Sequence, residues 1–255
     1  MVRGVLLDLS GVLYQGDRAL PGAPRSVESL RQSGLPLRFL TNTTRSTSDA
    51  LLKKLSGLGF DLPADQLYAA PRVARDYLHR HGLSPFPVIH PDLRPEFADC
   101  PERQADAVLV GDAGPGFTYE RLNGAFRLLL EGAPLLAMGR NRYFREEDGL
   151  SLDQGPFVAA LEYAAQTRAV ILGKPAPAFF EAALRSLDLP AGEVVMVGDD
   201  VESDVRGALD NGLQAVLVRT GKFRAGDEAA VAGSGAVVCE DLEEAARWIL
   251  ERART

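Results

Sequence analysis

The 255-residue sequence predicts an α/β fold built on a parallel β-sheet that is covered by helices on both faces. Short, nearly continuous apolar runs alternate with amphipathic segments from one end of the chain to the other. This pattern is typical of parallel sheets, whose strands are buried on both faces. Several of the apolar runs stop at a polar residue, and the ligands of such sheets bind beyond the carboxyl ends of the strands.

The apolar runs predict strands at 4–9, 37–42, 86–90, 107–111, 135–138, 170–172, 194–197 and 215–218. The amphipathic segments predict helices at 24–33, 48–58, 72–81, 119–131, 157–166, 178–187 and 241–252. The middle of the chain contains its own strands and helices but none of the polar strand ends described below. We therefore expect a core formed by residues 1–70 and 172–255, with an α/β domain inserted at 71–171.

Composition limits the classes of partner. A net charge of −7 argues against nucleic acid or an anionic membrane as a partner, because both require a basic surface. Cys100 and Cys239 have no metal-ligand partner at short spacing, so inert thiols in a reducing compartment are expected. No apolar run approaches the ~18 residues of a membrane span. A soluble, cytoplasmic protein is therefore expected.

Polar residues stand where predicted strands end, and a further apolar run at 169–172 leads to a lysine. The residues concerned are Asp8 with Ser10, Thr41 with Asn42, Asp199 with Asp200, and Lys174. Each of them taken singly is more typical of a turn or a helix cap, as is Asp204. Their combination at strand ends, in this order along the chain, favours a common site.

The chemistry of these side chains suits phosphate. The Asp8 carboxylate can attack phosphorus and form an aspartyl-phosphate. Asp8 and Asp199 offer the oxygen ligands that Mg²⁺ prefers. Mg²⁺ and Lys174 would offset the repulsion between carboxylate and phosphate. Thr41 and Asn42 can donate hydrogen bonds to the phosphoryl oxygens.

The sequence resembles the four motifs of the haloacid dehalogenase (HAD) superfamily, and the resemblance covers nearly the whole chain. The motifs are Asp8-Leu9-Ser10-Gly11-Val12-Leu13, Thr41-Asn42, Lys174-Pro175, and Gly198-Asp199-Asp200 with Asp204. Within the superfamily, the sequence is similar to the subgroup with a large α/β cap inserted between the second and third motifs. The resemblance thus implies a Rossmann-like core and a cap.

Roles for individual residues follow from the resemblance. It implies that Asp8 is the nucleophile and that Asp8, Asp199 and the main-chain carbonyl of Ser10 hold Mg²⁺. Asp204 would not contact the substrate but would orient either Lys174 or a metal-bound water. A small phosphorylated substrate would contact Asp8, Leu9, Ser10, Thr41, Asn42 and Lys174. Relatives with large caps often dimerise, so a homodimer is expected.

Ser10 departs from the usual pattern, because phosphatases of the superfamily carry a second Asp two residues after the nucleophile. That Asp serves as general acid and later as base, and such help accelerates a reaction by about 10²–10⁴-fold. The hydroxyl of Ser10 is a poor acid near neutral pH. Alkyl phosphate esters should therefore react poorly. Pyrophosphate, aryl and acyl phosphates, and the P–N bonds of phosphoramidates should be less affected.

Other interpretations remain open from the sequence alone. The enzyme could act on pyridoxal phosphate, a nucleotide or a sugar phosphate, or the chain could be a phosphate-binding relative without catalysis. A response-regulator-like domain would end at about 120 residues, far short of this chain. In the cap, Arg140, Arg142, Tyr143 and residues 153–155 could face a substrate or form an exposed loop.

Two other short patterns, a possible P-loop and a possible histidine pair, do not predict a binding site. Gly221-Lys222 lacks the flanking residues of a P-loop. His79 and His81 are two residues apart on a predicted helix, so they should point in different directions and chelate a metal poorly.

Overall fold

The computed structural model describes residues 1–101, 103–145 and 149–253. The chain forms two compact units. The first consists of Met1–Thr41, Leu52–Tyr68 and Lys174–Thr255, and the second of Asn42–Leu51 and Ala69–Gly173.

The strands are β1 (Gly4–Asp8), β2 (Tyr14–Gln15), β3 (Arg18–Ala19), β4 (Leu37–Thr41), β5 (Leu67–Ala69), β6 (Pro85–Val88), β7 (Ala107–Val110), β8 (Leu135–Ala137), β9 (Tyr143–Arg145), β10 (Leu150–Leu152), β11 (Val170–Ile171), β12 (Val194–Gly198), β13 (Gln214–Val218) and β14 (Val237–Cys239). The α-helices are α1 (Ala23–Gln32), α2 (Ser48–Gly57), α3 (Ala70–His81), α4 (Tyr119–Leu130), α5 (Gly155–Ala165), α6 (Pro177–Leu187), α7 (Gly207–Asp210), α8 (Asp227–Val231) and α9 (Leu242–Ala253).

The first unit is built on a sheet with strand order β14-β13-β12-β1-β4-β5. β1 pairs in parallel with both β12 and β4, and β13 continues the parallel pairing on the far side of β12. Every residue of β1 and β12 is buried. These two central strands are buried on both faces, which explains why their sequences read as continuous apolar runs.

Helices α1 and α9 show how the amphipathic pattern produces packing in this unit. In each helix the buried residues recur at spacings of three and four, which places them on one face. They are Ala23, Ser26, Val27 and Leu30 in α1, and Leu242, Ala245, Ala246 and Ile249 in α9. The two helices pack against each other, and α9 also contacts β13 and β14.

The second unit has its own parallel sheet, with strand order β11-β8-β7-β6. Helix α4 packs on β6 and β7 and against α5. A separate hydrophobic core fills this unit and includes Val108 and Val110 of β7, Ala125 and Leu129 of α4, and Val158 of α5. Strands β9 and β10 form an antiparallel pair.

The predicted α/β fold with a parallel sheet is confirmed. The strand that leads to Lys174, β11 (Val170–Ile171), falls within the range 71–171 expected for the inserted domain, and it pairs with β8 in the second unit's sheet. Its end was also expected to converge with the ends of the other motif-bearing strands, but it belongs to a different sheet from theirs. Lys174 follows in a loop before α6 (Pro177–Leu187), because Pro175 and Pro177 interrupt regular pairing.

Residues 42–51 group with the second unit, whereas the sequence placed them in the core. Polar contacts explain this grouping. The hydroxyl of Thr44 accepts the backbone N–H of Asp112, and Arg45 pairs with the Asp112 carboxylate. Ser48 donates both its backbone N–H and its hydroxyl to Glu96.

Candidate active site

Three neighbouring strands of the first unit end in the predicted polar residues. Asp8 is the last residue of β1, Thr41 is the last residue of β4, and Asp199 directly follows β12. β1 lies between the other two strands and is parallel to both. The carboxyl ends of all three strands therefore meet at one edge of the sheet, where ligands of such folds bind.

Lys174 links Asp8 to Asp204. Its Nζ atom donates to Asp8 Oδ1 at 2.5 Å and to Asp204 Oδ1 at 2.6 Å, and all three side chains are buried. Burial alone would lower the pKa of Lys174, but the charges of Asp204 and Asp8 outweigh that effect and raise it. The lysine is therefore charged and fixes the orientation of the Asp8 carboxylate.

Asp204 is held from two sides. Its Oδ2 atom accepts the backbone N–H of Asp200 at 3.2 Å, while Oδ1 accepts from Lys174. A Cβ atom at Gly198 would collide with the Asp204 carboxylate, so only glycine fits at the end of β12. Burial raises the pKa of Asp204 to about 7, against the opposing effect of Lys174. Both carboxylate oxygens are engaged, as expected of a residue that orients Lys174.

Asp199 sits in a cradle made by two glycines from separate loops. A Cβ at Gly11 or at Gly221 would collide with Asp199 Oδ2, and both glycines have positive φ, at 89° and 62°. The same oxygen accepts the backbone N–H of Lys222 at 2.6 Å. Burial, and then the charge of Asp8, raise the pKa of Asp199 well above its ordinary value. The site therefore calls for additional positive charge next to Asp8 and Asp199.

Lys222 is a residue of this site that the sequence analysis missed. Its Nζ atom lies 3.3 Å from Asp200 Oδ2. Burial opposes its charge, but Asp200 and Asp199 outweigh this effect and raise its pKa. The sequence feature that indicates this place is its position just after β13 (Gln214–Val218), the strand beside β12.

Asp200 has a mainly structural place in the site. Its carboxylate caps the π-helical segment Val201–Arg206 by accepting the backbone N–H groups of Glu202 and Ser203, each at 3.0 Å. Burial would raise the pKa of Asp200, but Lys222 and the capping N–H groups lower it.

The residues fit a magnesium ion. One carboxylate oxygen from each of Asp8, Asp199 and Asp204 can be chosen so that all three lie within 4.8 Å of one another. The ionisable side chains of the cluster are Asp8, Lys174, Asp199, Asp200, Asp204 and Lys222. Four carboxylates and two ammonium groups carry a net charge of −2 when fully ionised, which a divalent cation would balance. Hard oxygen ligands are those that Mg²⁺ prefers.

The other residues predicted to contact the substrate lie outside the carboxylate–lysine cluster. Ser10 is exposed, and the side chain of Leu9 is buried in the core. The carbonyl of Leu9 accepts the backbone N–H of Leu13 at 2.8 Å, which closes the turn after β1. Asn42 belongs to the second unit, where its Nδ2 atom donates to Asn141 Oδ1 at 3.2 Å.

The candidate cap residues divide between paired, exposed and buried side chains. Arg140 pairs with the buried Glu162 at 2.6 Å, and Arg142 is exposed beside the Tyr143 ring. Gln154 is fully buried, and neither its Nε2 nor its Oε1 atom has a hydrogen-bond partner among the described residues. A buried amide without partners costs stability.

Comparison with known proteins identifies the family to which this fold and site belong. A parallel-sheet core, a second α/β unit and a carboxylate–lysine cluster at the strand ends define an α/β enzyme of the phosphatase type. The family model described as haloacid dehalogenase-like hydrolase matches residues 5–100, and the model described as HAD-hydrolase-like matches residues 171–245.

Relatives match over the whole length. Human haloacid dehalogenase-like hydrolase domain-containing protein 2 is 42% identical over 98% of this chain and 96% of its own length. Human phospholysine phosphohistidine inorganic pyrophosphate phosphatase is 41% identical over 99% of this chain and 96% of its own length. The chain therefore belongs to the haloacid dehalogenase-like hydrolase family, and it is a hydrolase of the phosphatase class.

Solved structures agree with this assignment. The crystal structure of a 4-nitrophenylphosphatase from Thermotoga maritima superposes with a TM-score of 0.87 at 28% identity, covering 96% of this chain and 97% of that one. A p-nitrophenyl phosphatase from Archaeoglobus fulgidus, at 24% identity, has the same fold with a TM-score of 0.87, covering 97% of this chain and 99% of that one. Within the described ranges, no helix is both long and apolar enough to cross a bilayer.

Proposed function

We propose that the protein is a Mg²⁺-dependent phosphatase that forms an aspartyl-phosphate on Asp8. Its substrate is a small phosphorylated compound with a good leaving group, such as pyrophosphate or a phosphoramidate. The observation that carries this proposal is the Asp8 carboxylate, held by Lys174 at the end of the central strand, with Asp199 nearby and Ser10 in place of the usual acid.

The arrangement of Asp8 suits nucleophilic attack. Lys174 engages one oxygen of the carboxylate, so the side chain is oriented before a substrate arrives. The lysine also lowers the repulsion between Asp8 and an incoming phosphate. Because Asp204 holds Lys174 from the other side, the ammonium group stays in place as charge develops.

Asp8 and Asp199, with the main-chain carbonyl of Ser10, are the proposed ligands of Mg²⁺. When bound, the ion supplies positive charge that stabilises the phosphoryl oxygens in the transition state. Thr41 and Asn42 are proposed to donate hydrogen bonds to the phosphoryl group, and Leu9 and Ser10 to line its position. These roles follow the motif resemblance.

The preference for good leaving groups rests on Ser10. No carboxylic acid stands at position 10 to protonate a departing alkoxide. Pyrophosphate and aryl phosphates expel stabilised anions, and P–N bonds break once nitrogen is protonated by solvent. The names of two relatives, a phospholysine phosphohistidine inorganic pyrophosphate phosphatase and a 4-nitrophenylphosphatase, refer to such substrates.

Partners and location complete the proposal. The charge of −7 supports a small substrate rather than nucleic acid or a membrane surface. A homodimer is proposed from the resemblance to large-cap relatives, and a cytoplasmic location from the expectation of reduced cysteines. Large exposed apolar side chains in the second unit support association through that unit. These side chains belong to Tyr119, Leu130, Leu150, Leu152, Tyr163 and Val170. Analytical ultracentrifugation tests the dimer, and a monomer at micromolar concentration would contradict it.

The central experiment measures phosphate release with Mg²⁺ on several classes of substrate. These are pyrophosphate, a phosphoramidate, 4-nitrophenyl phosphate, pyridoxal phosphate, a nucleotide and a sugar phosphate. Asp8→Asn is expected to abolish release, and Asp65→Asn, on an exposed side chain of the same unit, should leave it unchanged. Turnover by the Asp8→Asn variant equal to that of the wild type would refute the nucleophile assignment. Mg²⁺-dependent binding without any turnover would favour a phosphate-binding protein.

A second variant tests the leaving-group argument. Ser10→Asp restores the missing acid. Hydrolysis of the alkyl phosphate esters in the set, which are pyridoxal phosphate, the nucleotide and the sugar phosphate, should therefore rise by up to about 10²–10⁴-fold. Hydrolysis of pyrophosphate should change much less. Equal gains on both classes would show that the absence of an acid does not set the preference.

A further inference from the structure

The second unit contains a cluster of three side chains of the kinds that bind metal ions, a histidine, an aspartate and a cysteine, on two separate elements. His79 is in the last turn of α3 (Ala70–His81), while Asp99 and Cys100 follow the 3₁₀ segment Pro91–Phe97. Helix α3 packs against that segment. The backbone N–H of Cys100 donates to the carbonyl of Phe97 at 3.1 Å, which fixes the turn that carries both residues.

The ligand atoms are close enough for one ion. An imidazole nitrogen, a carboxylate oxygen and a sulfur, one from each residue, lie within 4.8 Å of one another. His79 Nε2 and Asp99 Oδ2 are 3.3 Å apart. Two ligands with bonds of about 2.0–2.1 Å to a tetrahedral zinc ion lie about 3.3–3.4 Å apart, so this pair already has the required separation. A sulfur ligand would need to lie about 3.6 Å from each of them, which a side-chain adjustment of about 1 Å achieves.

We propose that His79, Asp99 and Cys100 form a zinc-binding site in the second unit, separate from the carboxylate site of the first unit. One nitrogen, one oxygen and one sulfur ligand suit a borderline-soft ion such as Zn²⁺ rather than Mg²⁺. With neutral His79, ionised Asp99 and the thiolate of Cys100, the ligands carry −2, which a divalent cation balances.

Access to the site is available from solvent. The side chains of His79 and Asp99 are 40% and 64% exposed, while Cys100 is buried behind them. Cys100 also lines a cavity of about 540 Å³ beside β6 (Pro85–Val88), the edge strand of the sheet. A bound ion would therefore keep a position open to water, as three-ligand zinc sites do.

Arg75 is the cation that opposes metal binding here, because its charge reaches both Asp99 and Cys100. That charge is offset by its own partners: Arg75 Nη1 lies 3.6 Å from Glu96 and Nε lies 3.8 Å from Asp76. Binding converts the Cys100 thiol to a thiolate, and the released proton goes to the buffer. Nothing is oxidised or reduced in this step.

Cobalt is the probe, because it substitutes for zinc and reports on sulfur coordination. The full-length protein is titrated with Co²⁺ in the presence of excess Mg²⁺, which occupies the carboxylate site. A thiolate-to-cobalt charge-transfer band is expected to saturate at one equivalent and to disappear when Zn²⁺ is added. The carboxylate site contains no sulfur and cannot produce this band. Absence of the band in the wild type would overturn the proposal.

Matched variants identify the ligands. Cys100→Ser should remove the band, whereas Cys239→Ser, at the other buried cysteine, should retain it. His79→Ala should weaken Co²⁺ binding by about tenfold or more, since even the loss of an outer partner of a metal site costs that much. His81→Ala, at an exposed histidine of the same helix end, should bind as the wild type does.

The outcomes are distinguishable even if one variant fails to fold. Near-ultraviolet circular dichroism checks the fold of each variant, and His79→Ala alters a part-exposed side chain that the core does not need. A band that survives in folded Cys100→Ser, or unchanged affinity in His79→Ala, would refute the site. Zinc binding would also raise the melting temperature of the wild type and not that of His79→Ala.

Discussion

Replacing Lys174 with methionine tests whether this buried cation holds the carboxylates of Asp8 and Asp204 in place. The side chain of Lys174 is 3% exposed, and those of Asp8 and Asp204 are 10% and 1% exposed. Methionine has a similar length but no charge, so Lys174→Met leaves two buried carboxylates without their shared partner. Removing one member of a buried ion pair costs about 3–5 kcal/mol. For a chain of this size, that loss corresponds to a fall in melting temperature of about 6–20 °C.

The loss of unfolding free energy in Lys174→Met should decrease as pH falls. Burial already raises the pKa of Asp204 in the folded state, and loss of the opposing charge of Lys174 should raise it further above its unfolded value. Groups with raised folded pKa values favour the folded state at low pH and lose that contribution as pH rises. The stability difference between variant and wild type should therefore shrink as pH falls from 8 towards 5.

Urea unfolding at several pH values, without divalent cations, measures this effect. Lys54→Met is the matched control, because Lys54 pairs with Asp17 at a similar distance of 2.7 Å but with side chains 36% and 94% exposed. That exposed pair should contribute far less to stability than the buried one, because water screens it. Adding Asp204→Asn to Lys174→Met should recover part of the loss. Equal, pH-independent losses in the two lysine variants would refute the reasoning.

Two further substitutions test the neighbourhood of the site and the second unit. Gly11→Ala should lower phosphate release by more than tenfold, because its Cβ collides with Asp199 and displaces it. Gly16→Ala, which also has positive φ but open space around it, should show only a stability loss of about 1–2 kcal/mol in thermal unfolding. Gln154→Met should raise the stability measured by urea unfolding by about 1–3 kcal/mol, since it removes a buried amide without partners. A lower stability of that variant would show that the amide is satisfied in solution.

The longer elements follow from sequence because burial on both faces, or on one helical stripe, leaves a clear pattern. The expected strand 194–197 and helix 241–252 match β12 (Val194–Gly198) and α9 (Leu242–Ala253) closely. The short pairs β2–β3 and β9–β10 were not predicted, since strands of two or three residues show no periodicity. β11 was predicted as a strand, but sheet membership depends on long-range pairing that a local run of apolar residues does not encode.

Polar contacts across long sequence separations were the harder part of the site to predict. Asp8, Lys174 and Asp204 stood out because the motifs in which they occur are specific. Lys222 did not, because its role arises from meeting Asp199 and Asp200 through the fold. In the same way, Cys100 was set aside because it lacks a ligand partner at short spacing, and His79 because it and His81 point in different directions. The packing of α3 on the segment Pro91–Phe97 brings His79 and Cys100 together.

The two lysines of the site bear on the question that Ser10 raises, because either could in principle replace the missing acid. Burial favours the neutral form of each, but the surrounding carboxylates outweigh it and raise the pKa of both Lys174 and Lys222. Raised pKa values make both ammonium groups poor proton donors, so they act as fixed positive charge. With both lysines charged and Ser10 a poor acid, we expect the leaving group to depart largely unprotonated, so log(kcat/KM) for a series of aryl phosphates should fall steeply as the pKa of the phenol rises. The ratio kcat/KM is compared because it reports phosphoryl transfer to Asp8 even where hydrolysis of the aspartyl-phosphate limits kcat. The slope should flatten in Ser10→Asp, and a flat slope in the wild type would show that another group supplies the proton.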